Sequence, residues 1–192
     1  MARQMNPEQI YTPIAKDLPL VERVMLEAGR EAHAPLSSLA SHILTQPGKR
    51  VRPVVTLLAG KLFTYDLDLL VPMAASVELL HTATLVHDDT LDEATVRRGL
   101  ATINHVWDNT TAVLFGDFLF AAAAEMVART ANVRVMRLFA ETLRVICRGE
   151  LSQYFSAYQC TVTRDQYLQR IGCKTAALFS MAAEAGAVLG GA

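Results

Sequence analysis

The 192 residues are 52% hydrophobic and only 19% charged, and 18 basic against 19 acidic side chains leave a net charge of −1. That composition excludes a disordered chain, and it excludes a generally basic surface of the kind that binds nucleic acid or an anionic membrane. Three cysteines, Cys147, Cys160 and Cys173, lack CxxC spacing or a nearby histidine partner, which excludes a disulfide framework or zinc site and predicts buried thiols in a reducing compartment.

The first twenty residues hold no apolar run of signal-peptide type. The most apolar window, 111–128, is broken by Asp117 and Glu125 and falls short of the ~20 apolar residues a bilayer span needs. A cytoplasmic protein without a transmembrane segment is expected.

In chain order the elements read as helices. Ala, Leu, Met, Glu and Arg dominate, with apolar residues three and four apart, the period of a helix with one buried face. The spacing predicts helices at 17–32, 36–45, 53–64, 67–91, 109–129, 132–158 and 164–189. Pro47 and Gly48 mark a turn before the third of these, and Pro53 suits its first position, where the missing N–H is no loss. Asn109 or Thr110 is placed to cap the fifth helix. Thr163 and Gln166 have capping-box spacing at the start of the last. All seven prolines lie at or before Pro72, and beyond it the β-branched runs and turn residues of strands do not recur. One all-α domain over 1–192 is expected, without strands.

Three constellations carry chemistry. In ELLHTATLVHDDTLD at 78–92, steps of three, four and seven residues bring His81, Leu85, Asp88 and Asp92 onto one helical stripe, with Asp88 and Asp92 one turn apart. Two carboxylates so placed repel each other. On a surface helix they would be a solvated acidic end, but the preceding 69–86 is too apolar for a surface helix. The acidic cluster is therefore expected at a cavity mouth, where Mg²⁺ relieves the repulsion and shares the carboxylates with phosphate oxygens. The second run, QPGKRVRP at 46–53, gathers Lys49, Arg50 and Arg52 beside a helix N-terminus, whose free N–H groups favour anions. The third, Arg97-Arg98-Gly99, puts two guanidinium groups on a short loop beyond Asp92, able to fork onto a diphosphate. Each cationic run by itself reads as a solvated basic loop. Together with the carboxylate pair they predict two phosphorylated ligands meeting at one metal cluster.

The order and spacing of GKRVRP (48–53), ELLHTATLVHDDTLD (78–92), RRG (97–99), GDFLF (116–120), GELSQ (149–153) and KTAALF (174–179) resemble the trans-polyprenyl diphosphate synthase family over essentially the whole chain. DDTLD matches that family's first aspartate-rich motif, and the wording around it looks most like the long-chain members. The resemblance implies an isoprenoid-synthase-type helical bundle around a central cavity. It also implies head-to-tail condensation of isopentenyl diphosphate onto an allylic prenyl diphosphate, with Mg²⁺ as cofactor.

By the same resemblance, Asp88 and Asp92 match the catalytic pair that holds the metal. Lys49, Arg52 and His81 match residues that hold the diphosphate of isopentenyl diphosphate, and Arg98 a further contact to it. Arg97, Lys174 and Thr175 match contacts to the allylic substrate, with Arg97 and Lys174 counted as catalytic. His81 alone would read as a satisfied core histidine; its place on the Asp88 stripe, about 10 Å down the helix, favours the ligand role. Ala83 and Thr84 match the floor of the chain-elongation tunnel. Small residues there imply a long product, C30 or longer, as used for quinone side chains, although ideal helix geometry turns Ala83 about 140° away from Asp88. Leu79, Leu80, Leu85, Val86 and 118–124 are expected as apolar walls, and the cysteines, Trp107 and the methionines as packing.

One departure is large. The family carries a second aspartate-rich motif after the KTA segment, whereas no Asp-Asp pair follows Asp92 here. The expectation is a synthase truncated before its last helices and catalytically incomplete by itself. A non-catalytic partner subunit of a heteromeric synthase, a short-chain farnesyl or geranylgeranyl diphosphate synthase, and a terpene cyclase with a single DDxxD stay open. GKRVRP and RRG speak against the cyclase. The resemblance implies pairing through helices near the GDFLF segment, as a homodimer or as a heterodimer with a full-length synthase.

Overall fold

Residues 7–30, 34–46, 48–158 and 161–192 are described by the computed structural model. Pro47 and Cys160 lie outside the described residues, and with them part of the expected turn at 47–48 and one of the three thiols. In chain order the elements are α1 (Pro7–Tyr11), a 3₁₀ turn (Thr12–Ile14), α2 (Leu18–Arg30), α3 (Ala34–Leu44), α4 (Val51–Lys61) and α5 (Leu67–Leu91). There follow β1 (Val96–Arg97), β2 (Leu100–Ala101), α6 (Ile103–Val106), α7 (Asn109–Arg129), α8 (Val133–Phe155), α9 (Arg164–Ile171), a π turn (Gly172–Ala176) and α10 (Ala177–Leu189).

The core is organised by α5, whose central residues are apolar on every face, so that burial on all sides is its favourable state. Leu70, Met73, Ala74, Ala75, Val77, Leu79, Leu80 and Ala83 expose no surface. Helices α7, α4, α2 and α10 pack around it, α3 lies on α2, and α8 lies on α10 and α7. The buried hydroxyl of Ser76 donates to the Ala123 carbonyl at 2.9 Å, which ties α5 to α7 without leaving a polar group unpaired. Leu79, Leu80 and Val86 are buried core residues, as are Met25, Met73, Met126 and Met181.

Several expectations are corrected. Residues 53–64 become α4 from Val51: Arg50 caps it in the left-handed region (φ 47°) and Pro53 is its third residue, still among the N–H groups that have no helical partner. The cap of α7 is Asp108, not Asn109 or Thr110; its extended backbone lets the carboxylate accept from Thr111 N–H at 2.7 Å. The helix of 132–158 ends at Phe155. That of 164–189 is broken by the π turn into α9 and α10, while its Thr163–Gln166 capping box is present. An antiparallel ribbon, β1–β2, forms where no strand was expected. Its two turn residues, Arg98 (φ 52°) and Gly99 (φ 82°), both take the positive φ that a tight two-residue hairpin requires.

Cys173 is buried but Cys147 is exposed. Trp107 and Met136 are exposed as well, Trp107 standing edge-on to His42 with ring centres 5.6 Å apart. Two helices, α5 and α7, are long and apolar enough to cross a membrane by length and composition, where the sequence suggested none. In this fold they pair with each other in the core, and 67% of the most apolar stretch of α5 is buried.

Candidate active site

The last turn of α5 carries Asp88 and Asp89, and Asp92 caps its end. Three carboxylates at a helix C-terminus oppose the helix dipole as well as one another. Cations meet two of them. Arg97, brought round by the β1–β2 ribbon, meets both oxygens of buried Asp89 at 2.8 Å. Lys174, in the π turn, lies 3.2 Å from Asp88 Oδ2. Asp92 is exposed at the rim and makes no ion pair among the described residues.

Asp89 departs from the expected division of labour. About 100° round the helix from Asp88, it points into the protein, where burial pushes its carboxyl up, against the pull of Arg97 and together with the charges of Asp88 and Asp92. Arg97 is thus engaged with a carboxylate rather than standing open on a loop.

Below this rim, Gly48, Lys49, Arg50, Arg52, Glu78, His81, Arg98 and Phe179 line a pocket of about 410 Å³. The expected quartet Lys49, Arg52, His81 and Arg98 is brought together here. A smaller cavity of about 30 Å³ shares Arg50, Glu78, His81 and Arg98 with it and reaches Asp89 and Arg97, so pocket and rim adjoin. The pocket is strongly cationic. Burial, then the charges of Arg52, Arg98, Arg97 and Arg50, push the His81 imidazole down to about 3. At neutral pH it is therefore an uncharged donor and acceptor. The Arg52 guanidinium lies 4.6 Å from the centre of the Phe179 ring, and its Nε is buried without a partner. Burial chiefly, with Arg98, lowers its affinity for its proton, while Glu78 opposes this.

Sequence reasoning missed the scaffold beneath these groups. Arg50 reaches Glu78 at 3.2 Å, Glu22 at 3.5 Å and the carbonyls of Leu44 and Gln46 at 3.1 and 3.2 Å. It ties α2, α3 and α5 to the start of α4 and turns the whole basic run toward the pocket. Glu78 is buried, with Oε2 unpartnered. The one available signal was a lone Glu on an otherwise apolar helix segment.

The remaining residues are dispersed. Thr175 is exposed on the π turn, next to Lys174. Lys174 also bonds Glu150 of α8 at 3.0 Å. Thr84 is half-buried and donates to the His81 carbonyl at 2.7 Å, whereas Ala83 is fully buried in the core. Among the described residues no three His, Cys, Asp or Glu side chains gather into a metal cage. Asp88 and Asp92 offer hard oxygen donors at an open rim, which suits Mg²⁺ completed by water and phosphate oxygens rather than by protein alone.

A helical bundle whose central buried helix ends in a carboxylate rim above a cationic pocket is of the isoprenoid-synthase class. Residues 33–192 match the family described as Polyprenyl synthetase, and the chain belongs to that family. It is 39% identical over 188 residues to heptaprenyl diphosphate synthase component 2 of Geobacillus stearothermophilus, covering 98% of this chain and 59% of that protein. It is 35% identical over 187 residues to octaprenyl diphosphate synthase of Escherichia coli (strain K12), covering 97% and 58%. Among solved structures, a decaprenyl diphosphate synthase from Rhodobacter capsulatus superposes with a TM-score of 0.92 at 42% identity, over 96% of this chain and 57% of that one. A polyprenyl synthase from Caulobacter crescentus complexed with calcium and isoprenyl diphosphate gives 0.94 at 35%, over 100% and 58%. The chain thus spans under three fifths of the length of these relatives.

Proposed function

We propose that this chain supplies the diphosphate-binding part of a trans-polyprenyl diphosphate synthase, which condenses isopentenyl diphosphate onto an allylic prenyl diphosphate to give a product of C30 or longer. The observation that carries the reading is the adjacency of two unlike sites, a carboxylate rim suited to a cation and a cationic pocket suited to an anion, joined by a small cavity lined by His81, Arg98, Asp89 and Arg97. The printed names of the relatives, heptaprenyl, octaprenyl and decaprenyl diphosphate synthase, support the long product.

Asp88 and Asp92 would hold Mg²⁺ against the allylic diphosphate, and Arg97, Lys174 and Thr175 would contact that diphosphate. Bound there, Mg²⁺ supplies positive charge that stabilises the departing diphosphate. Lys49, Arg52 and Arg98 would neutralise the diphosphate of isopentenyl diphosphate, and uncharged His81 would add a hydrogen bond without adding charge. Leu85 and Val86, which line the small cavity beside the pocket, would help to exclude the water that would otherwise trap an allylic cation. The protein would work in the cytoplasm as a homodimer, or paired with a longer synthase, and its residues 1–192 would act as one domain.

Titration of this chain with farnesyl diphosphate, with and without Mg²⁺, tests the reading. Mg²⁺-dependent binding is expected, and replacement of both Asp88 and Asp92 by Asn is expected to remove the dependence. With isopentenyl diphosphate added, little turnover is expected, because the sequence holds one aspartate-rich motif. Binding that ignores Mg²⁺ in the wild type would overturn the metal role, and robust turnover would overturn the need for a second carboxylate cluster.

A further inference from the structure

Lys174 stands between two carboxylates. Its ammonium is 3.2 Å from Asp88 Oδ2 and 3.0 Å from Glu150 Oε2, and the three side chains expose only 34, 16 and 25% of their surface. The backbone is shaped to make this triangle. Lys174 is the middle residue of the π turn, an irregularity that concentrates at functional sites. Glu150 reaches it because α8 comes very close at Gly149, where a Cβ would stand 2.6 Å from Cys173 Cβ and 3.6 Å from Lys174 N.

The triangle has a consequence for metal binding. A divalent cation on the Asp88 carboxylate repels an ammonium held by the same group, so metal binding weakens the hold of Asp88 on Lys174. An ammonium leaving one partner inside a half-buried site is costly unless a second partner takes it. Glu150 is already in place.

We propose that Glu150 is a positioning residue of the allylic-diphosphate subsite: it keeps the Lys174 ammonium when Asp88 turns to a divalent cation, and leaves the remaining N–H donors to face the diphosphate. This rests on the reading of Asp88 as a metal ligand.

Two measurements on this chain separate the two ideas. Without metal, amine acylation at Lys174 is followed by mass spectrometry in wild type, Asp88→Asn, Glu150→Gln and the double variant. Each single variant is expected to react within about twofold of wild type, and the double variant about three- to tenfold faster. If Asp88→Asn alone reacts as fast as the double variant, Glu150 does not hold the ammonium and the proposal fails, whatever the metal does.

The second measurement reads free Mn²⁺ by electron paramagnetic resonance in the presence of inorganic diphosphate. Glu150→Gln is expected to weaken Mn²⁺ binding about three- to tenfold when Lys174 is present and to leave it unchanged in a Lys174→Met background. Equal weakening in both backgrounds would mean that Glu150 acts directly on the metal, which overturns the proposal. Mn²⁺ binding that is indifferent to Asp88→Asn would instead overturn the metal reading of Asp88. Glu150→Asp, which retains the charge, is expected to restore wild-type values and controls for misfolding.

Discussion

At the scale of single residues, His81 shows how an environment sets chemistry. An exposed imidazole titrates near ~6.5, whereas burial and four neighbouring guanidinium groups hold this one at about 3. Below the ordinary value the unfolded chain takes up a proton that the folded chain refuses, so stability falls from about pH 6.5 down to about pH 3 and is unaffected above that window. Thermal melts at pH 7 and pH 4 are expected to show a smaller acid loss for His81→Gln than for wild type; equal losses would mean that the imidazole is protonated in the fold. Ala83 and Thr84, expected at the floor of an elongation tunnel, differ from each other in the fold. Ala83 is wholly buried, so Ala83→Phe overpacks the core at a cost of about 1–3 kcal/mol. Half-buried Thr84 is the better place for a ring. In a full-length version, Thr84→Phe is expected to shorten the product, read by chromatography of the prenyl chains. An unchanged long product would put the tunnel floor elsewhere.

At the scale of elements, the site is assembled by irregularities rather than by the long helices. The ribbon turns Arg97 back onto Asp89, the left-handed cap at Arg50 aims the basic run into its pocket, and the π turn aims Lys174 at Asp88. Gly149 is where α8 meets that turn. Gly149→Ala would set a methyl group against Cys173 and is expected to cost about 1–3 kcal/mol in urea unfolding. It should also weaken Mg²⁺-dependent diphosphate binding, because the displaced segment carries Lys174. A variant that loses stability but binds as wild type would show that the turn does not depend on this contact. The capping box at Thr163 was readable from four letters; these other devices were not, because each depends on a neighbour distant in sequence.

At the scale of the whole molecule, large apolar side chains are exposed on α7, on the end of α8 and on α9. Val113 and Leu114 are exposed on a helix whose opposite face, with Phe115, Leu119 and Ala123, is deep in the core. Val113 and Leu114 offer a partner an apolar contact at the N-terminal half of α7, and this supports the proposed pairing through the GDFLF helix. Light scattering at high concentration is expected to give the mass of a dimer, and Leu114→Glu to lower it. A monomeric mass for the wild type across all concentrations would refute the pairing.

The sequence by itself determined the helical class, the central apolar helix and the stripe of His81, Asp88 and Asp92, because a period of 3.6 residues is a local property. It also determined the family, through six motifs in fixed order. Tertiary structure alone decided which charges meet. Asp89 with Arg97, Glu78 with Arg50, and Glu150 with Lys174 join residues from different elements or from across a turn. Each pair forms because a buried or half-buried charge must find its opposite wherever the packing leaves one within reach. No pattern along the chain encodes that choice; the packing of α5 against α4 and α10, and of α8 against α10 and the π turn, does.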